Sequence, residues 1–235
     1  MARCWLADGG CGRIGKPCPS GRCIARSIRR LHERRWRDKL GLFFAEGEDL
    51  VDAALAAGWE PEELLVAGEN VEPALLAEVS TLAHPPRVIG VFRRREQPRV
   101  TETNLALWRV ADPGNVGTLL RSADAFGAGV LLSDGCADPF GPKALRAAMG
   151  STFRVPLRPF ELRNAVALVA DGGDSLDTLD RYDTFVLGSE REGLPAEVVE
   201  QCDARMSIPV QGVESLNVAM AGTIVLYERF RKAGA

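Results

Sequence analysis

The sequence predicts an α/β protein in which a small α/β unit precedes a larger domain, built on a mostly parallel sheet with helices on both faces. Three observations predict it. Beyond about residue 104, short apolar runs alternate with amphipathic helical stretches, the pattern of strand–helix–strand units. Two of those runs, "AVALVA" and "TFVLG", are continuously apolar, as suits strands buried on both faces of a parallel sheet. Finally, "EQPRVTETN" is polar, aperiodic and interrupted by Pro98, and it separates this block from a shorter one before it.

Taken in order, residues 1–24 hold many breakers and no period, and a disordered leader is expected there. The small unit occupies 25–95. A helix is expected from Ile24, with Ile24, Ile28, Leu31 and Leu40 on one side and Arg26, Arg29, Arg30, Arg34, Arg35, Arg37 and Lys39 around the rest. "GLFFAEGEDLVDAALAAGW" reads as a short strand and a helix through Leu50, Ala53, Ala54 and Ala57. "PEELLVAG" adds a strand, "EPALLAEVSTLA" a helix and "RVIGVFRRR" a closing strand. After the linker at 96–103, the domain at 104–235 opens with the strand "LALWRV". Asn115 to Phe126 follows as a helix with Val116, Leu119, Leu120, Ala123 and Phe126 on its apolar face. "GVLLSDG" is a strand, and "PKALRAAMG" a helix with Pro142 in its first turn. The two apolar runs come next, then the helix "PAEVVEQC", a strand in "MSIPV" and a long helix in "SLNVAMAGTIVLYERFRK".

The net charge of −3 hides an asymmetry: residues 1–40 carry eleven Lys/Arg against three Asp/Glu, and the remainder eighteen against twenty-nine. A basic arm on an acidic body fits a polyanionic partner met through one face, and fits a solvated basic tail equally well. Four of the six cysteines fall at Cys4, Cys11, Cys18 and Cys23, spaced unlike paired metal ligands and with no His among them, so no metal is expected. Cys136 and Cys202 read as buried or idle thiols. The longest uncharged apolar run, "VAMAGTIVLY", is about half the ~20 residues of a membrane span, and the N-terminus has no apolar signal core. A cytoplasmic protein with no membrane partner is expected.

Several chemistries are excluded. Both histidines, His32 and His84, precede the larger domain, which therefore has no imidazole base for a Ser-His-Asp triad. There is no phosphate-binding G-x-x-x-x-G-K-[ST] loop, and "GAGVLL" runs into a strand instead of following one, unlike a dinucleotide fingerprint. What stands out is three glycine-containing loops at strand ends: "DPGNVG", "LGSEREGLP" and "SIPVQGVESLN". Ligands of open α/β sheets sit where the carboxyl ends of strands meet such loops. Each loop alone is also an ordinary turn with a helix cap at Asn115, Pro195 or Ser215.

Together, "DPGNVGTLLRSADAFG", "LGSEREGL" and "IPVQGVESLNVAMAGTIVLYE" resemble, in order, the three signature motifs of the SpoU/TrmH family of RNA 2′-O-ribose methyltransferases. The intervening "GCADPFGPKALRAAMGSTFRVP" is similar too, and the resemblance runs from Asn104 to Glu228. "RRLHERRWRDKLGLFFAEGEDLVDAAL" resembles, more loosely, the small RNA-binding domain that many members carry in front.

The resemblance implies a sheet whose C-terminal part is tied in a deep trefoil knot, a rare exception to unknotted topology. It implies S-adenosylmethionine as methyl donor, held by Leu187, Gly188, Glu190, Gly193, Ile208, Val210, Ser215, Leu216 and Asn217. The implied catalytic set is Arg121, Asn115, Glu190, Ser215 and Asn217, with Arg121 activating the ribose hydroxyl. A guanidinium normally stays protonated, so clamping the phosphate and the developing alkoxide is the other role open to Arg121. Ser215 and Asn217 also suit a helix cap. The implied partner is RNA, most simply 23S ribosomal RNA, with tRNA or a non-catalytic role in ribosome assembly as alternatives. No DNA partner is implied, and members are typically homodimers. Arg29, Arg30, Arg34, Arg35 and Arg37 are the expected RNA contacts, with Trp36 available to stack on a base or to pack inside. For Lys143 and Arg146, RNA contact and ordinary packing both fit.

Overall fold

A computed structural model describes residues 22–234. The leader expected at 1–24 therefore lies almost wholly outside the described residues, as do Cys4, Cys11 and Cys18. Two compact units emerge: one runs through Arg95 and includes Phe140–Arg146, and the other comprises Glu96–Pro139 and the chain from Ala147.

In the first unit, helix α1 (Arg22–Leu31) buries Ile24, Ile28 and Leu31, the expected apolar stripe. It starts inside the span expected to be leader. It also stops sooner than expected, and a separate helix α2 (Arg34–Leu40) follows. The break changes the fate of one arginine. Arg37, expected to face RNA, is buried and donates to the carbonyls of Leu31 (2.7 Å) and His32 (2.8 Å). Those are carbonyls that the end of α1 leaves without helical partners.

Strand β1 (Leu42–Glu46), helix α3 (Glu48–Ala56), strand β2 (Pro61–Val66), helix α4 (Pro73–Val79) and strand β3 (Val88–Arg93) complete the unit. The sheet is antiparallel in the order β1-β3-β2, with Phe44 opposite Val91 and Leu65 opposite Ile89. Phe44, Leu65, Leu76 and Ile89 pack with the apolar face of α1 into one core. Burying each such side chain stabilises by roughly 1.5–3 kcal/mol before entropy is counted. Glu46, also buried, accepts from the Ser80 hydroxyl and the Thr81 N–H, both at 2.8 Å, and from the Thr81 hydroxyl. Arg146 donates to Thr81 Oγ1 at 2.8 Å, which gives it the packing role of the two left open. Phe140 sets its ring 4.7 Å from that of Phe43.

The second unit holds β4 (Asn104–Leu107), α5 (Pro113–Ala125) and β5 (Gly129–Leu132). Helix α6 (Pro142–Ala148) follows in the chain and is shared between the two units. Next come β6 (Leu157–Pro159), β7 (Ala165–Leu168), β8 (Thr184–Leu187), α7 (Ala196–Val199), β9 (Ala204–Met206) and α8 (Val218–Lys232). The six strands are parallel, in the order β6-β5-β4-β8-β7-β9. Alternation puts Leu105, Leu107, Phe185 and Leu187 on one face, in a core with α5 and α8. Ala106, Val186 and Ala165 face the other way, toward Val198 of α7. Both faces are thus covered, as parallel sheets require.

Two details differ from expectation. The run "MSIPV" is not a strand: β9 ends at Met206, and Ser207–Val210 is irregular, with Pro209 in its midst. β6 was not anticipated, because three residues ending in proline carry almost no periodic signal. From β4 the chain builds β5 and β6 toward one edge and then returns to the other side of β4. The switch point lies between β4 and β8, where an open α/β sheet offers its ligand crevice. No described helix is long and apolar enough to cross a membrane.

Candidate active site

At the carboxyl end of β8 the chain turns back on itself within five residues. Ser189 and Gly193 exchange both backbone hydrogen bonds, each 3.1 Å, so Glu190, Arg191 and Glu192 form the tip of a pinched loop. The turn requires Gly188. A Cβ there would stand 2.1 Å from the carbonyl carbon of Gly193, closer than any packing tolerates.

The second loop begins α5. The Asp112 carboxylate caps the helix by accepting from the Asn115 N–H at 3.0 Å, and Pro113 occupies the first turn, where its missing N–H costs nothing. The third loop leads into α8, which Asn217 caps. Its Oδ1 accepts from the N–H of Ala219 (2.9 Å) and Met220 (3.4 Å).

These three loops meet in one chain of hydrogen bonds. Asn217 Nδ2 donates to Asn115 Oδ1 at 3.2 Å, and Asn115 Nδ2 donates to Glu190 Oε1 at 3.0 Å. The carboxylate also accepts the N–H of Asp112 (3.1 Å) and of Ala111 (3.2 Å). The direction of the relay follows from the helix cap. With its oxygen held by α8, Asn217 must present its NH2 to Asn115, and Asn115 must then present its own to Glu190. Burial pushes the Glu190 pKa up. The hydrogen bonds from Asn115, from its own backbone and from Asp112 and Ala111 outweigh that and hold it below the ordinary carboxylate value.

Beside the relay lies a cleft of about 500 Å³, within the range of small-molecule and cofactor sites. All nine residues expected to hold a cofactor line it, from Leu187 to Gly193 on one wall and from Ile208 to Asn217 on the other. The donor set suits a nucleoside carrying a polar tail. Leu187, Ile208, Val210 and Leu216 give apolar surface, and the exposed Ser215 hydroxyl and the loop backbone give polar contacts. Leu168, Val169 and Ala170, at the end of β7, also line it and were missed. The signal was present, since "AVALVA" runs straight into the breakers "DGGD", marking a third strand end at the crevice.

Arg121 is not brought to this cluster. It is exposed on α5, six residues beyond Asn115, about 9 Å along the axis and some 240° around it. It has no hydrogen-bond or ion-pair partner among the described residues. In the first unit, Arg29 pairs with Glu78, Arg35 with Glu33 (2.7 Å) and Arg34 with Asp38 (3.6 Å). Trp36 is half-buried, with the Arg30 guanidinium 4.5 Å and the Lys39 ammonium 5.1 Å from its ring centre.

The chain matches the SpoU rRNA methylase family over residues 102–227 and the MRM3-like substrate-binding domain over residues 24–98. It is 34% identical to the 23S rRNA (guanosine(2553)-2′-O)-methyltransferase RlmP of Bacillus subtilis, covering 85% of this chain and 92% of that one. It is 29% identical to the 23S rRNA (uridine(2479)-2′-O)-methyltransferase of Streptomyces viridochromogenes, covering 86% and 87%. Among solved structures, the AdoMet-bound rRNA methyltransferase from Sinorhizobium meliloti superposes with a TM-score of 0.79 at 31% identity, covering 90% of this chain and 95% of that one.

Proposed function

The chain belongs to the SpoU rRNA methylase family, and on that premise we propose that it is an S-adenosylmethionine-dependent methyltransferase acting on a ribose 2′-hydroxyl of 23S ribosomal RNA. The observation that carries this reading is the relay of Glu190, Asn115 and Asn217, which draws three separate loops to the mouth of a nucleoside-sized cleft. Two relatives that methylate 23S ribose at different nucleotides support the reaction and the RNA, and leave the target position to be measured.

When bound, S-adenosylmethionine supplies an electrophilic methyl carbon. The apolar wall and the loop backbone fix its orientation and keep water out, while Glu190 locks the loop and the start of α5 together. The attacking hydroxyl must lose its proton, and nothing in the relay is suited to take it, because the Glu190 carboxylate is held below its ordinary pKa and its oxygens already accept the N–H groups of Ala111, Asp112 and Asn115. Arg121 is the group for the other half of the work, clamping the phosphate and the alkoxide as charge develops.

Its position away from the cleft of its own chain fits a site completed by a second copy. α8 exposes Met220, Tyr227 and Phe230, at 61%, 50% and 45%, and Phe126, just past the end of α5, packs beside the last two. An exposed apolar stripe of this kind marks an interaction surface, and we assign it to a homodimer. The trefoil knot and a cytoplasmic location belong to the same reading. In the first unit Arg29, Arg30, Arg34 and Arg35 present RNA-facing charge, and Arg37 does not.

The test is methyl transfer from labelled S-adenosylmethionine to unmodified 23S rRNA and, separately, to bulk tRNA, with Arg121→Ala as control and mass spectrometry to locate the mark. A 2′-O-methyl nucleotide in 23S rRNA, absent with the variant, is the expected result. Transfer to tRNA alone, or no transfer with cofactor bound, overturns the substrate or the reaction. Mixing inactive Arg121→Ala with inactive Gly188→Ala protein should restore activity if the site is shared between copies.

A further inference from the structure

Arg109 stands at the carboxyl end of β4, two residues before the Ala111 N–H that holds Glu190. Its backbone is left-handed, with φ of 52°, where an L side chain crowds the following carbonyl and glycine is the usual occupant. The neighbours leave it no alternative. The Trp108 N–H donates to the Leu187 carbonyl at 2.8 Å, the Arg109 N–H to Ser133 Oγ at 2.9 Å, and the Ala137 N–H to the Val110 carbonyl at 2.8 Å. A residue other than glycine, kept in so constrained a place, directs attention to its side chain.

That side chain is aimed. Its Cγ and Nε both lie 3.3 Å from where a Cβ on Gly135 would stand, so the stem rests on the bare backbone of Gly135, itself left-handed at φ 89°. The residue is exposed, and its guanidinium has no partner among the described residues. Two residues of chain span at most about 7 Å, so the Arg109 backbone stands that close to the Ala111 N–H that binds Glu190, while its side chain leans toward Gly135 on the β5 side of the sheet, outside the cofactor cleft. A free, fixed guanidinium is built for bidentate recognition of a phosphodiester.

We propose that Arg109 binds an RNA phosphate flanking the target ribose, holding the backbone while the hydroxyl enters the site; this rests on the methyltransferase reading above. It is a substrate-binding residue outside the Glu190 relay and the cofactor cleft.

Arg109→Gly is the decisive variant, because it removes the side chain and relieves the backbone at once. The full-length wild type, Arg109→Gly and Arg109→Lys are compared for affinity to in vitro transcribed 23S rRNA across a salt series, KM and kcat, S-adenosylmethionine affinity and Tm. For the glycine variant we expect an RNA KM raised about tenfold and a log–log salt slope shallower by about one. Cofactor affinity should be unchanged, and Tm unchanged or raised by up to about 4 °C. Arg109→Lys should keep the slope and recover part of the affinity. An unchanged KM and slope overturn the proposal, as does a loss of Tm or of cofactor affinity in parallel with KM, which makes Arg109 structural. If the wild type binds this RNA but transfers no methyl group, the methyltransferase reading fails while the salt slope still decides on Arg109.

Discussion

In the first unit charge is met by charge: Arg29 pairs with Glu78, Arg35 with Glu33, Arg93 with Glu62 and Arg94 with Asp38. In the second, Glu190 has no cation partner among the described residues and is held by backbone and amide N–H groups of the loop that opens α5, with Asn217 of the third loop tied in through Asn115. The physical difference is specificity of placement. An exposed ion pair tolerates many geometries and stabilises by about 0–1 kcal/mol, less at high salt. A carboxylate gripped by fixed N–H dipoles accepts one geometry, and so fixes the loops that carry those dipoles. The first unit can therefore exchange its partners for phosphates at little cost, whereas the second holds a shape.

The comparison breaks most visibly at Gly188. A methyl group there meets the Gly193 backbone and must spread the loop, so Gly188→Ala should weaken S-adenosylmethionine binding by at least about 100-fold by calorimetry, near 2.7 kcal/mol. Unchanged affinity would show that the loop is not the cleft wall. Arg37→Ala comes next, as the exception in the first unit: a buried guanidinium bonded to two helix-end carbonyls. Its loss should cost about 2–3 kcal/mol in denaturant unfolding with no change in cofactor affinity.

Glu190 sharpens the contrast through pH. Because its folded pKa is lowered, the stability it contributes is complete above the unfolded value and is lost as pH falls through the folded one. The wild type should lose stability as pH drops below about 4.5, and Glu190→Gln should lack that component. The residue is exposed enough that solvent screening keeps the effect well under 1 kcal/mol. Equal acid slopes in the two proteins would remove Glu190 from the relay. The smallest effect belongs to Arg35→Ala, which should shift stability by less than about 0.5 kcal/mol while still lowering RNA affinity at low salt.

Legibility in the sequence follows the same division. Apart from β6 and the position of β9, strands and helices of the second unit could be read from local patterns, because apolar runs and the Asp112–Pro113 start are written within a few residues. The residues of the relay could be named through the three motifs. Their connection could not, since Asn115 reaches 75 residues onward to Glu190 and 102 to Asn217, and no local pattern encodes that meeting. Arg37 was misplaced for a related reason. Continuing one helix from Ile24 to Leu40 puts it among the solvent-facing arginines, while the break after Leu31 turns it under the end of α1. Arg121 was legible as a motif residue, and the structure sets it on the exposed side of α5, outside the relay.

Asn217 belongs to two structures at once: its oxygen closes the first turn of α8 and its nitrogen feeds the relay. Fraying of that turn and loosening of the cleft are consequently a single opening event. By reciprocity, whatever a bound ligand adds to the order of the cleft it adds also to the helix end. The amide hydrogens of Ala219 and Met220, bonded to Asn217, become the gauge of occupancy, and their exchange with deuterium should slow in proportion to the fraction of sites filled.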